Sequence, residues 1–178
     1  MDITITPAQP EDFSSLRTIE LAAFETLREA GAVTGQAFAN SLEEFGDFSR
    51  NGLLLAAFSP DSTPVGFIAG SVENIWLHIA EIDVHPDWQR RGVGRSLMQA
   101  ILTQGQQRGL AGATLTTDNI AAFNAQFYAA LGFEIVEDPS CPPHLKSRKA
   151  EEVTLGFNPT RRVAMQLKFQ EPGRSARA

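Results

Sequence analysis

Apolar residues recur along this chain at two spacings, alternate positions in short runs and every third or fourth position in longer ones. Ile3 and Ile5 alternate with polar neighbours, which predicts a strand over residues 2–6. Pro10, Glu11 and Asp12 suit a first helical turn, and Phe13, Leu16, Ile19, Leu21, Phe24 and Leu27 continue a helical stripe up to Gly31. A second, weaker helix is expected over 38–48. Residues 53–58 read as a buried strand, 60–64 as a turn, 65–72 as its partner and 75–84 as a further strand, so this half is an antiparallel set of hairpins. A helix over 94–107 follows, with Leu97, Ile101 and Leu102 facing the sheet and Gly109 as its stop.

The remainder alternates strand (113–117), helix (120–131, stopped by Gly132) and strand (133–136), a pattern that favours parallel pairing. A Pro-rich and then charged segment holds a short helix over 145–154, and Val163, Met165, Leu167 and Phe169 alternate through a last strand over 162–169. Together the two halves predict a mixed α/β sheet with helices on both faces, formed by a single domain over residues 1–170. The tail, 171–178, has little to bury and is expected to be disordered.

Composition narrows the function more than the fold. The 178 residues are 43% hydrophobic and 20% charged, as in globular domains, and no apolar run reaches membrane length. The start shows no secretion signal, so a cytoplasmic location is expected. A net charge of -6 argues against nucleic-acid binding. The three histidines are scattered and the single cysteine, Cys141, sits between Ser140 and Pro142 with no activating neighbour, so neither a metal ligand set nor a reactive thiol is indicated.

Against this acidic background, the stretch from Ile82 to Leu97 stands out. A β-branched run ends at Val84, Pro86 forbids its continuation as a paired strand, and helix-forming residues resume at Arg95. Gly92 and Gly94 let the backbone approach a ligand closely at a helix N-terminus, where free N–H groups and the helix dipole favour an anion. Arg90, Arg91 and Arg95 add full charges suited to gripping phosphate. The turn therefore reads as a diphosphate cradle. It lacks the Lys of a P-loop after its second glycine, and Leu97 stands where a dinucleotide fingerprint needs a small residue.

Gln89, Gly92 and Gly94, following a strand that ends Asp83, Val84, His85, Pro86, resemble motif A of the GNAT N-acetyltransferase superfamily. The run from Asn124 through Phe127 and Tyr128 to Leu131, Gly132 and Phe133 resembles a second motif of that superfamily, in the right order and spacing. The chain departs from many relatives in having Arg90 where glycine is frequent. The resemblance implies an acyl-CoA N-acyltransferase fold of about seven strands, with an opening between strands 75–84 and 113–117. It implies that acetyl-CoA is the cosubstrate, with no metal. The pantetheine arm and acetyl group would meet Ile82, Asp83 and Val84. The pyrophosphate would lie on Gln89, Arg90, Arg91, Gly92, Val93, Gly94, Arg95 and Ser96, and Asn124, Phe127 and Tyr128 would line the other side.

The implied reaction is direct transfer of the acetyl group to a primary amine of a small molecule or peptide. Tyr128 matches the acid that protonates the departing thiolate. Glu81 and His78 are the candidate bases, with Glu81 favoured, and strict alternation sets Glu81 and Asp83 on one face of the strand and His78 on the other unless a bulge intervenes. The first two helices and their flexible connection, 31–36, would wall the acceptor pocket, for which Trp76, Glu25 and Glu73 are further candidates. His85 reads as a turn residue and His144 as part of a partnerless loop. Two alternatives stand beside this reading: acetylation of a protein lysine or N-terminus, and a non-catalytic acyl-CoA sensor. The last strand, 162–169, is expected at a sheet edge, where it could pair in a homodimer.

Overall fold

The computed structural model describes residues 2–31, 33–119, 125–137 and 140–170. Seven strands, β1 (Thr4–Pro7), β2 (Leu54–Phe58), β3 (Pro64–Glu73), β4 (Trp76–Val84), β5 (Gly112–Asp118), β6 (Glu134–Val136) and β7 (Arg162–Lys168), form one mixed sheet in the order β1-β2-β3-β4-β5-β7-β6. The described helices are α1 (Phe13–Glu29), α2 (Leu42–Arg50), α3 (Val93–Gln107), α4 (Ala125–Ala129) and α5 (Pro143–Thr154). The sequence-predicted helix over 120–131 begins outside the described residues, as does the expected disordered tail.

Side-chain alternation assigns the two faces. Leu53, Leu55, Ile68, Leu77, Ile79, Ala113, Leu115 and Met165 pack against Leu97, Met98 and Ile101 of α3, while Leu54, Ala56, Phe67 and Ala69 pack against Phe13, Leu16 and Ile19 of α1 and Phe45 of α2. Leu145 of α5 covers Ala164 on the α1 side of the sheet, in a small cluster that also buries Cys141. Helix α2 starts at Leu42, later than hydropathy suggested. Ser41 accepts a hydrogen bond from the Glu44 N–H, and the Glu44 carboxylate accepts from the Ser41 N–H at 2.7 Å, a reciprocal cap that the pattern Ser41-Leu-Glu-Glu44 encodes.

Two topological expectations are corrected. Among the described residues only β4 and β5 pair in parallel; β7 enters between β5 and β6 and pairs antiparallel with both. Strands β5 and β6 do run in the same direction, but the chain has room after α5 to return a strand between them. For the same reason β7 is internal, and the sheet edges are β1 and β6. The last strand is therefore not free to pair across a dimer.

Candidate active site

The parallel ladder between β4 and β5 covers Trp76, Leu77 and His78 opposite Gly112, Ala113 and Thr114, and stops there. Beyond it the strands separate. Residues 79–84 then face a cleft of about 1070 Å³, shared with Leu115, Thr116 and Thr117 on the far side. The backbone groups of β4 that β5 would have satisfied point into this cleft, which suits an extended ligand bearing amides.

A register shift in the β3–β4 ladder, where Ala69 pairs with Glu81 and Gly70 with Ile79, makes Ala80 an extra residue. This bulge shifts the alternation by one. His78, Glu81 and Asp83 consequently share the α1 face, whereas Leu77, Ile79, Ile82 and Val84 lie with the α3 core. His78 is 2% exposed, and its Nδ1 lies 3.1 Å from the Thr114 hydroxyl. Burial, and then the Arg148 charge, pushes its pKa down from 6.5 to about 3.

Helix α1 contributes a residue that sequence reading missed. Glu20 stands four residues after Leu16 and four before Phe24, on the buried stripe, and is 6% exposed. It accepts hydrogen bonds from the Asn40 backbone N–H at 3.1 Å and from Asn40 Nδ2 at 2.8 Å. A carboxylate at core-facing spacing was the signal that could have found it. Carboxyl oxygens of Glu20, Glu81 and Asp83 lie within 4.8 Å of one another. Burial, and then the Glu81 charge, lifts Glu20 from 4.5 to about 8. Burial lifts Glu81 to about 7, with Arg162 pulling it back and Glu152 pushing it further up. Asp83 is raised well above the ordinary range by burial and by both glutamates. Such a set holds protons between its members at neutral pH.

Tyr128 approaches from the α3 side. It is 9% exposed, packs edge-on against Phe127 at 5.1 Å and Phe133 at 6.0 Å, and lines the cleft. Burial and the charges of Glu81 and Asp83 push its pKa up, so the phenol keeps its proton at neutral pH.

At the mouth of the cleft, Gly92 caps α3 with φ 87°, and the Ser96 N–H to Gly92 carbonyl bond, 3.0 Å, is the helix's first. The N–H groups of Val93, Gly94 and Arg95 precede that bond and have no intrahelical acceptor. Arg90 also adopts a positive φ, 57°, and Gln89 ties the turn to β4 through a 3.0 Å bond to the Val84 carbonyl. Of the residues predicted to bind a coenzyme, Ile82, Asp83, Val84, Gln89, Arg90, Gly92, Gly94, Arg95, Phe127 and Tyr128 line the cleft. Arg91 instead lies over the Trp88 ring at 5.5 Å, the Val93 side chain is buried in the core, and Ser96 is not on the lining. Asn124 lies outside the described residues.

The other end is walled by Phe38 to Asn40, from the α1–α2 connection, and by Leu155 and Phe157, from the α5–β7 connection. These connections are joined to each other. Val33 bridges Phe157, the Thr34 hydroxyl donates to the Gly156 carbonyl at 3.2 Å, and Arg161, paired with buried Asp118, donates to the Gly31 carbonyl at 2.6 Å. Gly31, Val33 and Thr34 are thus anchored, where the sequence suggested a flexible loop over 31–36. Trp76, Glu25 and Glu73 do not line the cleft: Trp76 covers Gly112, Glu25 pairs with Arg28, and Glu73 pairs with Arg148 at 2.7 Å. His85 caps a 3-10 turn as expected, accepting from the Asp87 N–H at 3.3 Å, whereas His144 belongs to the first turn of α5.

A mixed sheet split at the parallel pair of β4 and β5, with a glycine-capped helix start at the mouth of the split, defines the N-acyltransferase fold. The chain belongs to the acetyltransferase (GNAT) family, whose model matches residues 15–133. Similar solved structures include the ribosomal-protein-S18-alanine N-acetyltransferase of Escherichia coli, with 21% identity, TM-score 0.70, and coverage of 98% of this chain and 99% of that one. The PaiA N-acetyltransferase of Thermoplasma acidophilum in complex with coenzyme A matches with 18% identity, TM-score 0.66, and coverage of 95% and 100%. YncA of Salmonella typhimurium, solved with acetyl-CoA, matches with 15% identity, TM-score 0.68, and coverage of 99% of each chain. Among the described residues, no helix is long and apolar enough to cross a membrane.

Proposed function

We propose that this protein is an acetyl-CoA-dependent N-acetyltransferase that acts by direct transfer on a primary amine of a small molecule. The observation that carries the reading is the split between β4 and β5, with Glu81 and Asp83 on one side, Tyr128 on the other and the cradle at its mouth. The residues present fit the cosubstrate: the side of the 82–84 backbone that has no β5 partner suits the amides of a pantetheine arm, and the first-turn N–H groups of α3 with Arg90 and Arg95 suit a pyrophosphate. Bound acetyl-CoA would supply the activated acetyl thioester.

The chain's own groups supply the rest. An amine arrives as an ammonium ion, which the Glu20, Glu81 and Asp83 carboxyl set attracts and Glu81 deprotonates. With a pKa of about 7, Glu81 is both ionised often enough to accept a proton and basic enough to hold it. Tyr128 keeps its proton until a thiolate forms beside it and then donates it. His78, neutral at pH 7 and bonded to Thr114, is a weaker base than Glu81 and is assigned to packing. The joined connections at the acceptor end favour a small amine over a folded protein surface, because an extended groove would need that end open.

Calorimetric titration of acetyl-CoA into the wild type and into a Gly94→Trp, Arg95→Glu variant tests the reading, followed by thiol release with small amines and with peptides. Binding that the variant loses, with turnover of small amines, is expected. No binding to the wild type would overturn the coenzyme reading. Binding without turnover would favour a sensor, and turnover of peptides alone would favour protein acetylation.

A further inference from the structure

Along β7, Val163 and Met165 belong to the α3 core, so alternation sends Arg162 to the opposite face, the one that carries Glu81. There the Arg162 side chain is only 9% exposed. A guanidinium so placed needs partners, and it has four contacts. Its Nε donates to Glu152 Oε2 at 2.9 Å, its Nη2 lies 2.6 Å from Glu152 Oε1 and donates to the Thr116 hydroxyl at 3.0 Å, and its plane sits 4.6 Å from the centre of the Phe157 ring. The Thr116 hydroxyl in turn donates to Glu152. The cluster joins β5, α5, the α5–β7 connection and β7, and Arg162, Glu152, Thr116 and Phe157 all line the cleft.

A fold seeking only stability would fill this position with apolar side chains, because a buried ion pair seldom repays its desolvation. The charges facing Glu81 suggest another use. Glu20 from α1, Asp83 from its own strand and Glu152 from α5 are acidic, Tyr128 from α4 and His78 from its own strand are neutral, and of the cleft-lining arginines, Arg148 of α5 among them, Arg162 acts most strongly on Glu81. It acts on Tyr128 as well.

We propose that Arg162 is a positioning residue of the transfer site: held by Glu152 and Thr116, it counters the surrounding carboxylates so that Glu81 serves as the base, and it fixes Phe157 in the acceptor wall. This rests on the transferase reading. Removing either member of the pair perturbs Glu81 in opposite directions. Without Arg162, the unopposed Glu152 charge makes Glu81 harder to ionise. Without the Glu152 charge, the unopposed Arg162 makes it easier. A pair that merely braced the fold would loosen the site in the same way whichever member was changed.

The experiment is a carbon-13 NMR titration of the glutamate carboxyl groups, with the Glu81 signal assigned through Glu81→Gln, in the wild type, Arg162→Met, Arg162→Lys and Glu152→Gln. The midpoint is expected to rise by about one pH unit in Arg162→Met, rise less in Arg162→Lys, and fall by a similar amount in Glu152→Gln. The acid limb of the pH profile of thiol release should follow in each variant. Midpoints that stay fixed, or move in one direction in both Arg162→Met and Glu152→Gln, would overturn the proposal. Should Arg162→Met fail to fold, the opposed shifts of Arg162→Lys and Glu152→Gln carry the test. The titration needs no turnover, so an inactive wild type would refute the transferase reading separately.

Discussion

Replacing Glu20 with glutamine should destabilise the protein in acid and stabilise it in alkali. The folded state holds the Glu20 proton more tightly than the unfolded chain does, with a pKa of about 8 against 4.5. Between those values the folded state binds more protons, so its stability falls as pH rises. Each pH unit of difference is worth about 1.4 kcal/mol, which bounds the alkaline penalty at about 5 kcal/mol. Glutamine escapes that penalty. It keeps one acceptor for Asn40 but loses one hydrogen bond, a cost of about 1 kcal/mol that remains at every pH. The two stability curves should therefore cross near pH 5, with the variant about 1 kcal/mol weaker at pH 3 and on the order of 4 kcal/mol stronger at pH 9. Urea unfolding at several pH values measures this directly. Parallel curves would show that Glu20 is ionised without penalty, and the argument for a proton-sharing carboxyl set would fall with it.

Tyr128→Phe keeps the ring packing on Phe127 and Phe133 and removes the phenol, so kcat in thiol release should fall about 100-fold while acetyl-CoA affinity holds. An unchanged kcat would reduce Tyr128 to a packing residue. Gly156 has φ 99°, and a Cβ there would come within 2.8 Å of the Thr34 carbonyl, so Gly156→Ala should cost about 1–3 kcal/mol by thermal unfolding. By loosening the joined connections it should raise KM for the amine and leave coenzyme affinity alone. An unchanged amine KM would separate those connections from the acceptor pocket.

Much of this protein follows from local pattern. The described strands were visible in local runs or alternation of apolar residues, and the turn proposed as an anion cradle was visible because Pro86 fixes its own φ and Gly92 tolerates a positive φ that few other residues adopt. The long helices α1 and α3 were equally plain, since their buried stripes repeat within a single segment.

What tertiary structure decided was which distant segments meet. No local signal tells a strand which neighbour to choose, so the return of β7 between β5 and β6 was invisible, and with it the exclusion of β7 from the sheet edge. The extra residue at Ala80 is a property of the β3–β4 pairing rather than of β4, yet it sets His78 beside Glu81 and Asp83. Glu20 sits far in the chain from Glu152 and Arg162, and the three gain their meaning only by converging on one face of the sheet. Their charges are fixed by composition, but the depth of burial and the company of other charges, which decide where protons reside, exist only once the sheet has closed around them.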